Sequence, residues 1–454
     1  MMTMADLEAL ERRVCEALKA NQLDDLQTLL ATQHPADIAD VIDRLDDKDQ
    51  LQVFQLLSPV QAAEVLDELG PDTTREILRR LTPHEAGDLL DRLPMDDVAE
   101  ILTEDIPERQ RALLAEMEPA DADEVRTLLR YPPQSAGRLM TEKFARVRPE
   151  MTAAQTIEYL RRIDPEVETL TDLYVFDLSE RLIGVVSLRS VVTAPLERRL
   201  DAIMSTQLIT VQPETDQEEV ARLVARYDFL ALPVVTPDGH MLGIVTVDDV
   251  IDVLVQEGTE DAFRFSGIEG GAIDEPYFKV PILRVVRRRV GWLLLLFLAE
   301  TFTGSVLRIF ENELARVVAL SFFIPLLIGT GGNTGAQTVS TLIRGLAVDE
   351  IRLDDAWRVI VRELESGLLL GLLLGVVAFG RALLWGSSLA LSAVVGLTII
   401  AICTWANTIG SIIPLVAQKL RIDPAVVSAP LITTLVDATG LAIYLLIAKA
   451  ILGL

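Results

Sequence analysis

From residue 288 to the C-terminus five apolar stretches follow one another, at approximately 288–308, 314–342, 362–385, 388–416 and 425–453. Each is long enough to cross a hydrocarbon core of about 30 Å as a helix. The rest of the chain is its opposite. Of the 41 Lys+Arg and 68 Asp+Glu in 454 residues, 14 and 11 fall in 281–454, a local net of +3. The remaining 27 and 57 fall in 1–280, a net of -30. Two such parts cannot share a solvent. The chain therefore reads as a multi-pass protein of the cell membrane (inner or plasma) with a large acidic domain in water. The total of -27 argues against nucleic acid as a partner.

The basic residues orient it. With the acidic part in the cytosol, ten of the 14 C-terminal Lys+Arg flank the cytosolic ends of the five stretches, among them Arg284, Arg287, Arg288 and Arg289. Arg308, Arg316, Arg381 and Lys449 fall on the other side. Positive residues stay inside, so the N-terminus is expected in the cytoplasm and the C-terminus outside. MMTMADLEALERRV lacks the apolar core of a signal peptide, and none is expected. The two cysteines, Cys15 and Cys403, suit a reducing compartment for the acidic part.

The first 130 residues repeat with a period of 24: IADVIDRLD (38–46), AAEVLDELG (62–70) and AGDLLDRLP (86–94) align without gaps, and QRALLAEME (110–118) follows in weaker form. Pro59, Pro83 and Pro107 keep the same spacing and interrupt each unit. Each unit is two short amphipathic helices, and the stack is an α-solenoid. A second duplication has a period of about 64, aligning LMTEKFARVRPEMTAAQTIEYLRR (139–162) with IMSTQLITVQPETDQEEVARLVAR (203–226). Strand, turn, strand and helix come next in both, with Gly184 and Gly243 in equivalent places. This resembles a tandem pair of CBS domains over 138–256. The resemblance implies a regulatory α/β module that often binds nucleotide and often dimerises. ATP is the nucleotide to consider, although Ser190 stands where the second copy has Asp249, so an adenosine site is expected to be lopsided or absent.

VDDVIDVLVQEGTED (247–261) crowds Asp248, Asp249, Asp252, Glu257, Glu260 and Asp261 onto one helix end and the linker behind it. Like charges at i, i+3 and i+4 repel, and a divalent cation with its preference for oxygen ligands turns that repulsion into attraction. Solvation of a helix end is the alternative. Within the membrane part PLLIGTGGNTGAQ (325–337) brings Gly329, Gly331, Gly332, Asn333, Thr334 and Gln337, either for close helix packing or for a wet cavity. The fourth stretch has Asn407 and Ser411, and the last has Thr433, Thr434 and Asp437. A carboxylate at mid-helix costs about 2.5–3.5 kcal/mol to insert, so Asp437 is expected to face water, a partner or an ion. Glu300 competes with it, or serves packing.

PLLIGTGGNTGAQ, KLRIDPAVVSAPLITTLVDATGL (419–441), the acidic repeat and the CBS pair together resemble the MgtE family of magnesium transporters, across nearly the whole chain and in the family's domain order. The resemblance implies a homodimer with five transmembrane helices per subunit, and a pore on the two-fold axis lined by the second and fifth. Gly329, Gly331, Gly332, Asn333, Thr433 and Thr434 are the lining residues it suggests. The family's selecting aspartate falls on Asp437. Its cytosolic Mg²⁺ sensor falls on Asp249, Asp252, Glu257, Glu260 and Asp261, and in the helical domain on Asp96, Asp97 and Glu100. Mg²⁺ is then both permeant and regulatory ion.

The expected division is an acidic helical-repeat domain (1–131), tandem CBS domains (132–258), a plug-like linker helix (259–283) and a five-helix transmembrane domain (284–454). The chain is expected to be no enzyme. Two rival readings stay open: a secondary transporter exchanging Mg²⁺ for Na⁺ or H⁺, and a membrane-anchored CBS nucleotide sensor.

Overall fold

The computed structural model describes residues 4–103, 106–163, 167–268, 280–348, 350–423 and 427–454. They form two compact units, one reaching Glu257 and one beginning at Gly258.

The first unit opens with ten short helices: α1 (Met4–Lys19), α2 (Leu23–Leu30), α3 (Pro35–Arg44), α4 (Asp47–Phe54), α5 (Pro59–Glu68), α6 (Pro71–Arg80), α7 (Pro83–Leu90), α8 (Met95–Thr103), α9 (Pro107–Glu116) and α10 (Pro119–Leu128). Six of them carry proline in the first turn, where the missing N–H has no intrahelical partner and φ is already helical. Caps sharpen these starts. Ser58 accepts from Gln61 N–H, and Thr82 and Glu85 form a reciprocal capping box. The odd helices α3, α5, α7 and α9 stack in one row and α4, α6, α8 and α10 in another. The 24-residue period is thus one step of a two-row solenoid.

The CBS pair comes next. β1 (Phe144–Val147), α11 (Ala153–Leu160), β2 (Thr169–Phe176), β3 (Leu182–Ser187) and α12 (Leu188–Thr193) form the first copy. Its sheet runs β1-β2-β3, with β1 parallel and β3 antiparallel to β2. The second copy has α13 (Gln217–Tyr227), β4 (Ala231–Val235), β5 (Met241–Thr246) and α14 (Val247–Phe265). There a parallel bridge between Val211 and Val234 stands where the first copy has its full edge strand. The paired glycines share a physical reason. A Cβ on Gly184 would lie 2.6 Å from Met204 Sδ, and one on Gly243 2.7 Å from the Thr141 carbonyl. Phe144, Tyr174 and Phe176 of the first copy pack with Ala231, Met241 and Ile244 of the second. One apolar core continues from the helical repeats into the second copy, through Leu128, Met140, Val220, Leu232 and Val250.

The expected boundary at 258 falls inside α14, which is continuous to Phe265. Of the expected plug-like helix, residues 269–279 lie outside the described residues.

The second unit contains α15 (Ile282–Ile309), α16 (Glu311–Arg316), α17 (Ile324–Ala347), α18 (Ala356–Leu384), α19 (Leu389–Lys419) and α20 (Ala429–Leu452). Among the described residues five helical spans are long and apolar enough to cross a membrane, as expected. The second differs at its start. Residues 311–323 form the short α16 and a 3-10 segment, and the long helix begins at Ile324 with Pro325 in its first turn. Glycines at i, i+4 and i+8 on α18 let α19 approach closely: a Cβ on Gly371 would lie 2.8 Å from Ile400 Cα and 2.9 Å from its carbonyl oxygen. Because backbone cannot move aside as a side chain can, Gly371→Leu is expected to cost about 1–3 kcal/mol or more. A fall in thermal unfolding midpoint of the detergent-solubilised protein measures it; an unchanged midpoint refutes this account of the α18–α19 contact.

At the start of the last helix, Ser428 caps α20 and also accepts from Trp292 Nε1 of α15 at 3.1 Å. Arg264, near the end of α14, bridges Glu260 and Asp423 of the α19–α20 connection. At the opposite end Lys449 pairs with Glu313 at 2.7 Å.

Candidate functional site

Asp437 sits in the ninth position of α20, half-buried, with α17 beside it. The glycines of α17 make that approach possible. A Cβ on Gly332 would meet Thr433 Cγ2 at 3.3 Å and Asp437 Oδ1 at 3.6 Å. Gly331 does something else: its Cβ would collide with Ile402 and Val436, so it packs inside the bundle. Gly329 and Asn333 are exposed, and with Gln337 and Thr341 they recur every fourth residue as one open, largely polar line along α17. The Thr433 and Thr434 hydroxyls both donate to the Pro430 carbonyl at 2.9 Å. With their protons spent on backbone, their oxygens remain acceptors. Glu300 of α15 is near enough to act electrostatically on Asp437.

A carboxylate that sequence reading passed over lies on the far side of α17. Glu363 of α18 accepts from Asn407 Nδ2 at 3.0 Å and from Thr338 Oγ1 at 3.5 Å, joining α17, α18 and α19. Asn407 is 2% exposed. Glu363 stands at the polar end of its stretch, so nothing in hydropathy singles it out.

In the first unit a second acidic group spans the helical repeats and the CBS pair. Asp96 is 8% exposed, and its Oδ1 has no hydrogen-bond partner. Burial and the charge of Asp249 hold its carboxyl well above the usual range. Asp97 is pushed up to about 10 by burial, then by the charges of Asp96, Asp67 and Asp249. It shares a hydrogen bond with Asp67. Asp249 is pushed up to about 7 by burial, against the stabilising Thr246 hydroxyl that donates to it. Asp252 is raised by burial and by Asp248, and Glu168 of the first CBS copy by burial, Asp248 and Asp67.

Asp96, Asp97, Asp249 and Asp252 are therefore brought together, with Asp67, Asp248 and Glu168 added. Four other expected sensor residues go elsewhere. Glu100 is exposed and acts on Arg138. Glu257 accepts from Gln217 at 2.8 Å, Glu260 pairs with Arg264, and Asp261 adds its charge beside that same arginine. Among the described residues no three acidic, His or Cys side chains already stand at metal-binding distances. The seven carboxyls crowd one another, with Lys143 offsetting part of the charge at Glu168, and a divalent cation suits that arrangement through its charge and its preference for oxygen.

A cavity of about 510 Å³ opens beside the first CBS copy, lined by Ser190, Thr193, Ala194, Pro195, Arg198 and Ile203.

Comparison with known proteins decides the family. Residues 324–447 match the MgtE divalent cation transporter family, 33–134 the MgtE intracellular N domain, and 136–197 and 200–256 the CBS domain. The magnesium transporter MgtE of Thermus thermophilus is 43% identical over 339 residues, 74% of each chain. The chain belongs to the MgtE family. The magnesium transporter MgtE of Bacillus subtilis is 37% identical over 336 residues, again 74% of each. The solved cytosolic domain of the Mg²⁺ channel MgtE in complex with ATP is 40% identical with a TM-score of 0.51, covering 54% of this chain and 99% of that one. The soluble part of a magnesium transporter is 30% identical with a TM-score of 0.50, covering 55% and 99%. MgtE proteins are transporters, not enzymes, and this chain has the family's intracellular N domain and CBS pair ahead of a C-terminal region that matches the transporter domain and, among the described residues, has five apolar spans.

Proposed function

We propose that this chain forms a Mg²⁺-selective channel for magnesium uptake, as a homodimer with its pore on the two-fold axis. The observation that carries the reading is the open, largely polar line of α17 beside Asp437. A bare polar line is unfavourable against lipid, and a second copy turns it into a water-filled lining. Gly329, Gly332, Asn333, Thr433 and Thr434 border that space. Two Asp437 carboxylates supply -2 to a +2 ion. Mg²⁺ gives up its water reluctantly, so they grip it through its hydration shell. A divalent ion gains about 4.6 kcal/mol per 100 mV of membrane potential, enough to drive uptake without a coupling ion. Orientation is set by the basic residues, with the N-terminus cytoplasmic and the C-terminus outside. On the cytosolic unit, exposed Val192, Leu230, Ile251, Leu254 and Val255 are apolar side chains that a second copy would cover.

Gating rests on the acidic junction. With little Mg²⁺ inside, Asp67, Asp96 and Asp97 repel Asp248, Asp249, Asp252 and Glu168, and the helical repeats separate from the CBS pair. A bound divalent cation supplies the missing positive charge. The carboxylates then close around it, and the closed form shuts the pore by differential binding. ATP is a second cytosolic ligand under this reading, supported by the cavity at Ser190 and Arg198 and by the similar domain solved with ATP.

Unitary currents in a planar bilayer with Mg²⁺ as the only permeant cation test the channel. Glu300 beside Asp437 favours one alternative, an exchanger coupling Mg²⁺ to Na⁺ or H⁺ through paired carboxylates. Flux that stops without a Na⁺ or H⁺ gradient, and no unitary current, identifies that alternative.

A further inference from the structure

The helical repeats carry a second regularity, in their hydrogen bonds. Asp43, Asp67 and Asp91 hold the same place in successive 24-residue units. Asp43 accepts from the backbone N–H of Gly70 at 3.2 Å, and Gly70 is the N-cap of α6. Asp91 accepts from the backbone N–H of Glu118 at 3.0 and 3.1 Å, and Glu118 is the N-cap of α10. In both, the aspartate of one unit secures a helix start 27 residues later. Twenty-seven residues after Asp67 stands Pro94, immediately before α8. Its nitrogen carries no hydrogen. Asp67 is denied the amide that its two counterparts use, and its carboxyl turns to Asp97, with Asp248 and Asp252 nearby. In the same group Asp96 is 8% exposed with an unpartnered Oδ1.

We propose that Pro94 is a positioning residue of the cytosolic cation sensor: by withholding one backbone N–H it releases Asp67 from capping duty and leaves that carboxylate for a divalent cation. The proposal rests on the sensor reading given above. Asp43 and Asp91 spend their carboxylates on the scaffold; Asp67, which lies near Asp248 and Asp252 of the CBS acidic helix, has proline where they have the competing amide. An amide restored at 94 competes with the cation for Asp67.

The test is Mg²⁺-dependent protease protection of the cytosolic part, measured on the full chain in detergent. Pro94→Ala is expected to raise the Mg²⁺ concentration at half-protection about tenfold, the worth of one charge-assisted hydrogen bond. In an Asp67→Asn background, Pro94→Ala is expected to add nothing. Pro94→Gly, which reproduces the residue found at position 70, is the second variant and keeps the test decisive where the alanine chain folds poorly. An unchanged midpoint in both Pro94 variants, with Asp67→Asn shifted, overturns the proposal and leaves the sensor reading standing. A Pro94 effect that persists undiminished beside Asp67→Asn overturns it too. If Asp67→Asn and Asp97→Asn both leave the midpoint unmoved, the sensor reading falls and the role of Pro94 falls with it.

Discussion

Asp437→Ala is expected to reduce Mg²⁺ flux by more than a hundredfold while leaving the protein at least as stable. The two effects share one cause. A carboxylate within an apolar helix costs about 2.5–3.5 kcal/mol to insert, so its removal relieves the fold. Its function is the converse. At an effective dielectric of about 20, a unit charge about 5 Å from another contributes roughly 3 kcal/mol, and a divalent ion doubles that for each carboxylate. In the proposed dimer, losing both carboxylates therefore removes well over the roughly 2.7 kcal/mol that correspond to about a hundredfold. Asp437→Asn keeps the shape and loses the charge, and it is expected to fail almost as completely. Asp437→Glu keeps the charge but reaches further toward Gly332 and Thr433, already close beside it, and is expected to retain partial flux. Proteoliposomes loaded with a Mg²⁺ indicator, read beside thermal midpoints in detergent, check all three. Wild-type flux in Asp437→Ala would remove the aspartate from the permeation path.

The fold was legible wherever one short period governs a long segment. Hydropathy marked all five spans, and the 24- and 64-residue duplications marked the solenoid and the CBS pair. The second span, read from about 314, runs Val318–Ala347; hydropathy did not show that its first residues to Phe323 are 3-10 and that the long helix starts at Ile324 with Pro325 in its first turn. The acidic junction was half legible. Asp249 and Asp252 resemble Glu257, Glu260 and Asp261 in sequence, and the residues that separate them are distant or on another turn: Gln217 engages Glu257 and Arg264 engages Glu260. Asp67 had a signal, since its repeat counterparts can be read against position 94. Glu168 and Glu363 had none, because a carboxylate near a loop or helix end gains its meaning only from the elements packed around it.

Acidification is expected to compact the cytosolic part without any divalent cation. The direction is set by where the shifted groups titrate. Asp97 is held up at about 10 by burial and by Asp96, Asp67 and Asp249, and separating the helical repeats from the CBS pair lowers it by removing the Asp249 charge and part of the burial. Between the two values closing takes up a proton, so the closed form gains as pH falls and loses as pH rises, about tenfold per pH unit per proton. Asp249, at about 7 chiefly through burial, adds the same sense through the burial that closing brings. Asp96 adds to it in the same direction, through burial and Asp249. Without Mg²⁺, the cytosolic part is therefore expected to be cleaved readily by protease at about pH 8 and protected at about pH 5.5. With saturating Mg²⁺ it is expected to be protected at both, because the cation replaces the protons on the same carboxylates. Across this range the benefit of Mg²⁺ should shrink steadily with falling pH, and Asp97→Asn, which cannot ionise, should flatten the pH dependence in cation-free buffer. Equal cleavage at the two pH values in the absence of divalent cations, checked with a substrate that reports the protease's own pH response, would mean that repulsion at this junction does not hold the repeats away from the CBS pair.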